Sequence, residues 1–103
     1  METIFIVDVN PFDHKQPDQP VDNFIYAHEL VEQTEDNYLL MGVIHPGDVV
    51  RFPRELYVGF DTRDEALLHL ERIVLNKVQE IEEELSKWQQ FNRAIEVEIM
   101  SDD

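Results

Sequence analysis

A helical apolar stripe runs through the second half of this 103-residue chain and limits the folds open to it. Large apolar residues recur every three or four positions, and neither glycine nor proline interrupts them. They are Leu67, Leu70, Val74, Val78, Ile81, Leu85 and Trp88. This spacing places them on one face of a helix. A helix over about 62–92 would be roughly 45 Å long, which is more than a small sheet can cover.

A capping pattern marks the beginning of this helix. Thr62 is followed three residues later by Glu65, the spacing at which each side chain satisfies a backbone N–H group of the first turn. Asp64 and Glu65 also lie favourably at the positive end of the helix dipole. The helix is therefore predicted to begin at Thr62.

The first 60 residues show the pattern of short strands. Runs of β-branched and aromatic residues are separated by Asn, Asp, Gly and Pro, which favour turns. These runs lie at about 3–9, 23–33, 38–44, 49–52 and 55–60. The first run is almost continuously apolar, which favours a strand covered on both faces. Pro53, beside the fourth run, predicts a sheet edge or a bend.

These patterns together predict an α+β fold in one domain over 1–103. An antiparallel or mixed sheet of four or five short strands occupies about 2–60, and one long C-terminal amphipathic helix follows it. Three prolines mark an extended loop between the first two strands, over about 10–20.

The last ten residues fit two patterns. Ile95, Val97 and Ile99 alternate with glutamates, which is the period of a strand. Phe91, Ile95 and Ile99 also lie four residues apart, as they would on a continuing helix. We expect a short terminal strand after a break near Asn92, with a continuing helix as the alternative.

The chain is strongly acidic. It has 23 Asp and Glu residues against 8 Lys and Arg residues, and its net charge is −15. Direct binding to nucleic-acid phosphates needs clustered basic residues, and an anionic membrane surface needs the same. Both are therefore excluded as main partners. The charge is −8 over 1–36, zero over 37–60 and −7 over 61–103.

No pattern in the sequence is typical of catalysis or metal binding. The absence of cysteine excludes disulfides, thiolate nucleophiles and cysteine-based zinc sites. The four histidines lack the spacing of a helical zinc pair, and no glycine-rich phosphate loop occurs. We therefore expect a non-enzyme without a metal or cofactor. No signal peptide or membrane-spanning run is visible, so we expect a cytoplasmic protein.

The densest acidic cluster, which we call the helix acidic cluster, lies on the predicted helix. It comprises Glu80, Glu82, Glu83 and Glu84. Charged helix faces commonly serve only to keep a helix solvated. The alternative is a carboxylate array that imitates nucleic-acid phosphates and attracts a basic groove of a partner protein.

Arginines near the junction between sheet and helix suggest a second kind of site. Arg51, Arg54 and Arg63 lie near Tyr57 in the sequence. Arginine forks and helix N-terminal amides can bind a phosphate, and a tyrosine can stack on a base. The four residues are an alternative site for a nucleotide-like anion, unless the arginines simply pair with neighbouring carboxylates.

The distal part of the helix carries apolar residues that a small sheet cannot cover. We expect Ile81, Leu85, Trp88 and Phe91 to form a dimer contact, with two helices packed in a parallel or antiparallel pair. The alternative is a monomer in which the helix folds back over a wider sheet.

The segment 57–67 carries a family resemblance. An aromatic strand end, Tyr57-Val58-Gly59-Phe60, leads into a capped Thr-x-x-Glu-Ala-Leu helix that is rich in glutamate. Over about the last half of the chain, this arrangement resembles small phage-encoded accessory proteins. That group includes anti-restriction and anti-CRISPR inhibitors, some of which are DNA mimics, and proteins that capture nucleotide second messengers. No individual functional residue is carried over from it.

Three functions follow as hypotheses. The first is an inhibitor that acts as a homodimer and, in the manner of a DNA mimic, occludes a basic nucleic-acid-binding surface of a host defence protein in a bacterial cell. The second is a binding module that sequesters a nucleotide-like anion. The third is a structural or assembly dimer.

Overall fold

A computed structural model describes residues 2–42 and 47–101 and confirms the predicted α+β architecture. Five strands precede one long helix, and two short 3-10 turns, Pro11–Asp13 and Val21–Phe24, interrupt the first connection. The strands and helix are β1 (Thr3–Asp8), β2 (Ile25–Gln33), β3 (Asn37–Met41), β4 (Val49–Pro53), β5 (Tyr57–Phe60) and α1 (Arg63–Ser101).

Contacts divide the chain into two compact units, Met1–Leu70 and Glu71–Asp103. The first, the sheet unit, contains all five strands and about two turns of α1. The second, the helix unit, contains the rest of α1. The sequence predicts a return strand over 38–44 and a turn over 45–48. Residues 43–46 lie outside the described residues, and β3 ends at Met41.

The five strands form one antiparallel sheet in the order β4-β3-β2-β1-β5. The mixed arrangement that the sequence left open does not occur among the strands described. Since β4 and β5 are the two edge strands, Pro53 at the end of β4 lies at an edge, as predicted. Proline has no backbone N–H group to donate, and at an edge this does not break the hydrogen bonding between two central strands.

The sheet is strongly curled. Strands β4 and β5 lie at opposite edges, yet only residues 54–56 join them. Four steps along the chain reach at most about 14 Å, whereas the edges of a flat five-stranded sheet would be about 19 Å apart. Curling brings the ring centroids of Phe52 and Tyr57 within 4.8 Å. A register shift between Leu30 and Glu32 on β2 marks a bulge, which increases twist and bends a strand.

The hydrophobic core lies inside this curled sheet. Four buried residues form it, and partly buried side chains, chiefly aromatic, pack against them. The buried residues are Ile4, Ile6, Tyr38 and Leu40, and the surrounding ones are Tyr26, Leu30, Phe52 and Tyr57. Inside the core the hydroxyl of Tyr38 accepts a 3.0 Å hydrogen bond from the Gly59 N–H group.

The opposite face of the sheet is also covered around β1 and β5. Ile6 and Val7 point to opposite faces of β1, and both are fully buried. On α1, Ala66 and Leu70 are buried, and His69 lies against Phe60 with a centroid distance of 5.0 Å. The continuous apolar run of β1 therefore indicated correctly that both faces of this strand are covered.

Helix α1 begins where the capping pattern predicted. Thr62 immediately precedes the helix, and its hydroxyl oxygen accepts a 3.2 Å hydrogen bond from the Glu65 N–H group. The prediction succeeded because a cap depends on residues that are close together in the sequence.

The expected terminal strand is wrong. Helix α1 continues through Asn92 to Ser101, so the last residues described are helical and the alternative is confirmed. Asn92 Nδ2 donates to Glu96 Oε1 at 3.4 Å, one turn further on. A strand must find a partner for its backbone groups, whereas a helix that has already formed gains a hydrogen bond with each added residue.

Candidate binding surfaces

The negative charge of this protein lies almost entirely at its surface. Of the 21 acidic residues that the structure describes, 20 are exposed, and only Asp8 is buried. The sheet unit carries 14 acidic residues against 4 Lys and Arg residues, so both units are negative. Exposed charges of one sign produce a field that a basic partner can sense before contact.

The helix acidic cluster lies on the exposed helix unit. Glu80, Glu83 and Glu84 are neighbours on the helix surface because they are three and four residues apart, whereas Glu82 points to another side. Lys77 Nζ lies 3.8 Å from Glu80 Oε2, in an exposed pair of the kind that contributes little to stability. The cluster is therefore accessible, and its role as a partner-binding site stays a prediction.

The predicted dimer contact is an exposed apolar surface in the described chain. Ile81, Leu85, Trp88 and Phe91 are between 53% and 62% exposed. Trp88 and Phe91 contact each other edge to face, with ring centroids 6.0 Å apart. Indeed, every residue over 78–101 is exposed. An apolar surface of this extent is typical of a region that binds another protein.

The arginines of the alternative anion site have partners elsewhere in the sheet unit. Arg54 Nη1 donates to the Thr34 carbonyl oxygen at 2.9 Å, and its guanidinium lies 4.9 Å from the ring centre of Tyr38. Arg63 forms an ion pair with Asp22.

The other two members of this set lie on the edge strands. Arg51 is an exposed residue on β4, and Tyr57 packs against Phe52 at the margin of the core. No hydrogen bond, ion pair or ring contact joins two of the four residues in the described part of the chain. An anion would therefore have to displace contacts that Arg54 and Arg63 already make.

A cleft that the sequence did not predict lies beside the end of β1. Its volume is about 330 Å³. The lining residues are Asp8, Val9, Asn10, Asp13, His14, Glu55, Leu56 and Tyr57. Three of them are carboxylates and none is Lys or Arg, so the cleft extends the negative surface of the sheet unit.

Asp8 lines this cleft and also contacts the segment that joins β1 to β2. His14 Nε2 lies 2.7 Å from Asp8 Oδ2, and the Tyr26 hydroxyl donates to the same oxygen at 3.4 Å. A carboxylate this deeply buried requires such partners. The sequence contains a signal for this site, because Asp8 is the one acidic residue within the apolar run 3–9. Its partner His14 could not be identified without the folded loop.

The connection between β1 and β2 is folded, which corrects the expectation of an extended loop. Lys15 donates from Nζ to the Asn23 carbonyl oxygen at 2.8 Å and lies 4.9 Å from the ring centre of Tyr26. The 3-10 turn Val21–Phe24 also delays the start of β2 to Ile25, two residues later than predicted. Contacts with side chains of β2 thus order a segment whose prolines indicated only irregular structure.

Replacing Asp8 with alanine should release this connection. The substitution removes the partner of His14 and leaves the Tyr26 hydroxyl without its acceptor, so we expect a loss of about 1–3 kcal/mol in the free energy of unfolding. Urea titration measures that loss, and limited trypsin digestion should show faster cleavage after Lys15. The exposed Asp18→Ala variant is the control, and equal digestion rates for the two variants would contradict the anchoring role of Asp8.

Two further classes of site do not occur among residues 2–42 and 47–101. No helix there is both long enough and apolar enough to cross a membrane. No group of three or more His, Asp or Glu residues is placed to hold a metal ion.

No protein-family model, curated protein or solved structure matches the chain. The resemblance to phage accessory proteins therefore stays a prediction.

Proposed function

We propose that this protein is a non-enzymatic acidic binding protein that occludes a basic, nucleic-acid-binding surface of a partner protein. The observation that supports the proposal best is the exposure of 20 of the 21 acidic residues described. Such a surface attracts a basic groove over roughly a Debye length, about 8–10 Å at physiological salt, and accelerates association.

The charge density of the helix acidic cluster supports a nucleic-acid-like surface. Four carboxylates occupy the five residues from Glu80 to Glu84, with no basic residue among them. At a rise of 1.5 Å per residue, this is about one charge per 1.9 Å of helix axis. Duplex DNA carries about one charge per 1.7 Å of its axis. A groove adapted to phosphates would therefore encounter a similar linear charge density.

The resemblance to phage accessory proteins suggests where such a partner would be found. The partner would be a nucleic-acid-handling protein of a bacterial host, and the interaction would take place in the host cytoplasm. The partner's own Lys and Arg residues would provide the affinity, so its binding to this protein and to DNA would be mutually exclusive.

Neutralising the helix acidic cluster tests the proposal. The variant Glu80→Gln, Glu82→Gln, Glu83→Gln, Glu84→Gln removes four charges, and its matched control Glu29→Gln, Glu32→Gln, Glu35→Gln, Asp36→Asn removes four exposed charges from the sheet unit. The probe is the set of DNA-binding proteins that a heparin column retains from a bacterial lysate. We expect the first variant to lose at least tenfold in affinity for the captured protein and the control to lose less.

Competition and salt dependence complete this experiment. Duplex DNA at constant ionic strength should release the captured protein, and affinity should fall steeply between 50 and 200 mM salt, as expected for interactions dominated by phosphate-like charge. Binding that resists both DNA and salt would overturn the proposal. Equal losses in the two variants would instead show that total charge, rather than the helix acidic cluster, attracts the partner.

A further inference from the structure

Because α1 continues to Ser101, the apolar stripe of the helix unit extends as a regular heptad repeat. From Val74 onward, the stripe residues are separated by alternating steps of four and three. We propose that this segment pairs with the same segment of a second copy of the chain in a parallel, in-register, two-stranded coiled coil. The seam between the two helices is formed by positions a and d of the heptad.

Position d of the repeat is apolar throughout. It is occupied by Val74, Ile81, Trp88 and Ile95. These side chains are between 38% and 62% exposed in the single chain. Four successive apolar d residues, each seven positions after the last, are the pattern that keeps a left-handed coiled-coil seam facing its partner.

Position a carries one polar residue. It is occupied by Val78, Leu85, Asn92 and Ile99. A single asparagine at an a position fixes the register and number of strands of a coiled coil, at some cost in stability. The strand that the sequence suggested would have begun after Asn92, so only the continuous helix places this residue inside the repeat.

The helix unit needs a partner of this kind. The segment from Val74 to Ile99 is 26 residues, about 39 Å long. In solution, a helix is stabilised chiefly by packing of its apolar face rather than by its intrinsic propensity. A second copy offers an identical stripe of the same length, so both apolar faces become buried together.

Asn92 favours the parallel orientation. In a parallel, in-register pair, position a faces position a, so the two Asn92 amides meet and can hydrogen-bond to each other. In a centred antiparallel pair, Asn92 would face Ile81 of the second copy. Each antiparallel pair would then place two Asn92 amides against aliphatic side chains, where the 3.4 Å hydrogen bond from Nδ2 to Glu96 leaves the amide oxygen without a donor, and a buried polar atom without a partner is costly.

Charges flanking the seam are compatible with this pairing. Lys77 at position g faces Glu82 at position e of the second copy in the parallel register, and the contact occurs twice. In the antiparallel pair, Lys77 would meet Glu98 instead. Lys77 can therefore form an ion pair in either orientation, so these charges do not distinguish the two. The choice between them depends on Asn92.

The flanking acids also disfavour an assembly larger than two strands. Leucine at a with isoleucine at d, as in Leu85 with Ile81, is compatible with three or four strands. Larger bundles bury positions e and g more completely, and these positions include Glu82, Glu84 and Glu96. Burying several unpaired carboxylates opposes a third or fourth strand, but a larger bundle also buries more apolar surface. Asn92 therefore decides the number of strands.

Cysteine cross-linking tests the orientation directly, because the chain has no cysteine of its own. Position 78 faces itself in the parallel pair and faces position 95 in the antiparallel pair. The Val78→Cys protein should therefore form a disulfide-linked dimer on mild oxidation. A mixture of the Val78→Cys and Ile95→Cys proteins should give the two homodimers and few mixed ones. Predominantly mixed dimers would overturn the parallel arrangement.

Light scattering of the full chain tests the number of strands. We expect a dimer at micromolar concentrations, a monomer for Ile81→Glu, and trimers or tetramers for Asn92→Val. Asn76→Val is the matched control, since Asn76 lies at the outer position f and the dimer should persist. A monomer at 100 µM, or an unchanged dimer in Asn92→Val, would overturn the proposal.

The coiled coil does not depend on the proposed function. Its seam is apolar, whereas the proposed function involves exposed carboxylates, two of which, Glu82 and Glu84, flank the seam. Light scattering of the four-Gln variant separates the two proposals: loss of capture by a variant that is still a dimer reports on the carboxylates alone, and a dimer that captures no basic partner contradicts only the proposed function.

Discussion

Replacing Leu40 with alanine is expected to lower the free energy of unfolding of the sheet unit by about 2–5 kcal/mol. Leu40 is fully buried in the core, where it packs with Ile4, Ile6 and Tyr38. The loss combines the transfer energy of the missing carbon atoms with the cavity that they leave. It is large for a domain of this size, because total stabilities are only about 5–15 kcal/mol.

Urea unfolding followed by near-UV circular dichroism measures this loss. Trp88 is 62% exposed, so tryptophan fluorescence is a poor reporter on the core, whereas the near-UV signal of the buried Tyr38 reports on it directly. The Leu68→Ala variant is the control, since Leu68 is 67% exposed on the first turns of α1. It should lose less than about 1 kcal/mol. Equal losses in the two variants would contradict the position of the core.

Replacing Gly59 with alanine is the second substitution with a large expected effect. A Cβ atom at this position would lie 2.5 Å from Ile4 Cδ1 and 3.0 Å from Tyr38 Cε1. Both side chains are buried, so neither can move without disturbing the core. Overpacking of this kind costs about 1–3 kcal/mol. The loss should appear in urea titration.

A double-mutant cycle separates this overpacking from a backbone effect. Ile4→Val removes the Cδ1 atom that would collide with the new methyl group, and alone it should cost about 0.5–1.5 kcal/mol. Combined with Gly59→Ala, it should relieve part of the clash, giving a favourable coupling of about 1 kcal/mol. Gly47→Ala is the control, since no atom lies near its Cβ position and its φ of 98° makes the cost a backbone one. Additive losses for Gly59 and Ile4 would contradict the close contact.

Local features of the fold could be predicted from the sequence. The beginning of α1 was predicted because Thr62 and Glu65 lie within one turn of each other. The five strands were predicted from runs of β-branched and aromatic residues, with bounds that differ from the observed ones by a few residues. At β2, for example, a 3-10 turn over Val21–Phe24 occupies the positions where the strand was expected to begin.

Features that depend on distant residues could not be predicted. The curled sheet brings Tyr38 to Gly59, 21 residues away, and the folded connection brings His14 to Asp8. The sequence left open that the arginines pair with carboxylates, but it could not identify Asp22, which pairs with Arg63 across 41 residues. Each of these contacts depends on strand order and loop path, which no short sequence window contains.

The sequence by itself determined the order of the elements, the acidic surface and the apolar stripe of the helix. Composition and periodicity carry this information, because charge and residue spacing do not depend on the path of the chain. Only the tertiary structure decided that the sheet curls around its core and that the last residues stay helical. Those outcomes depend on which backbone groups find partners: the three-residue link between β4 and β5 forces the sheet edges together, and the residues after Asn92 satisfy their hydrogen bonds within the helix.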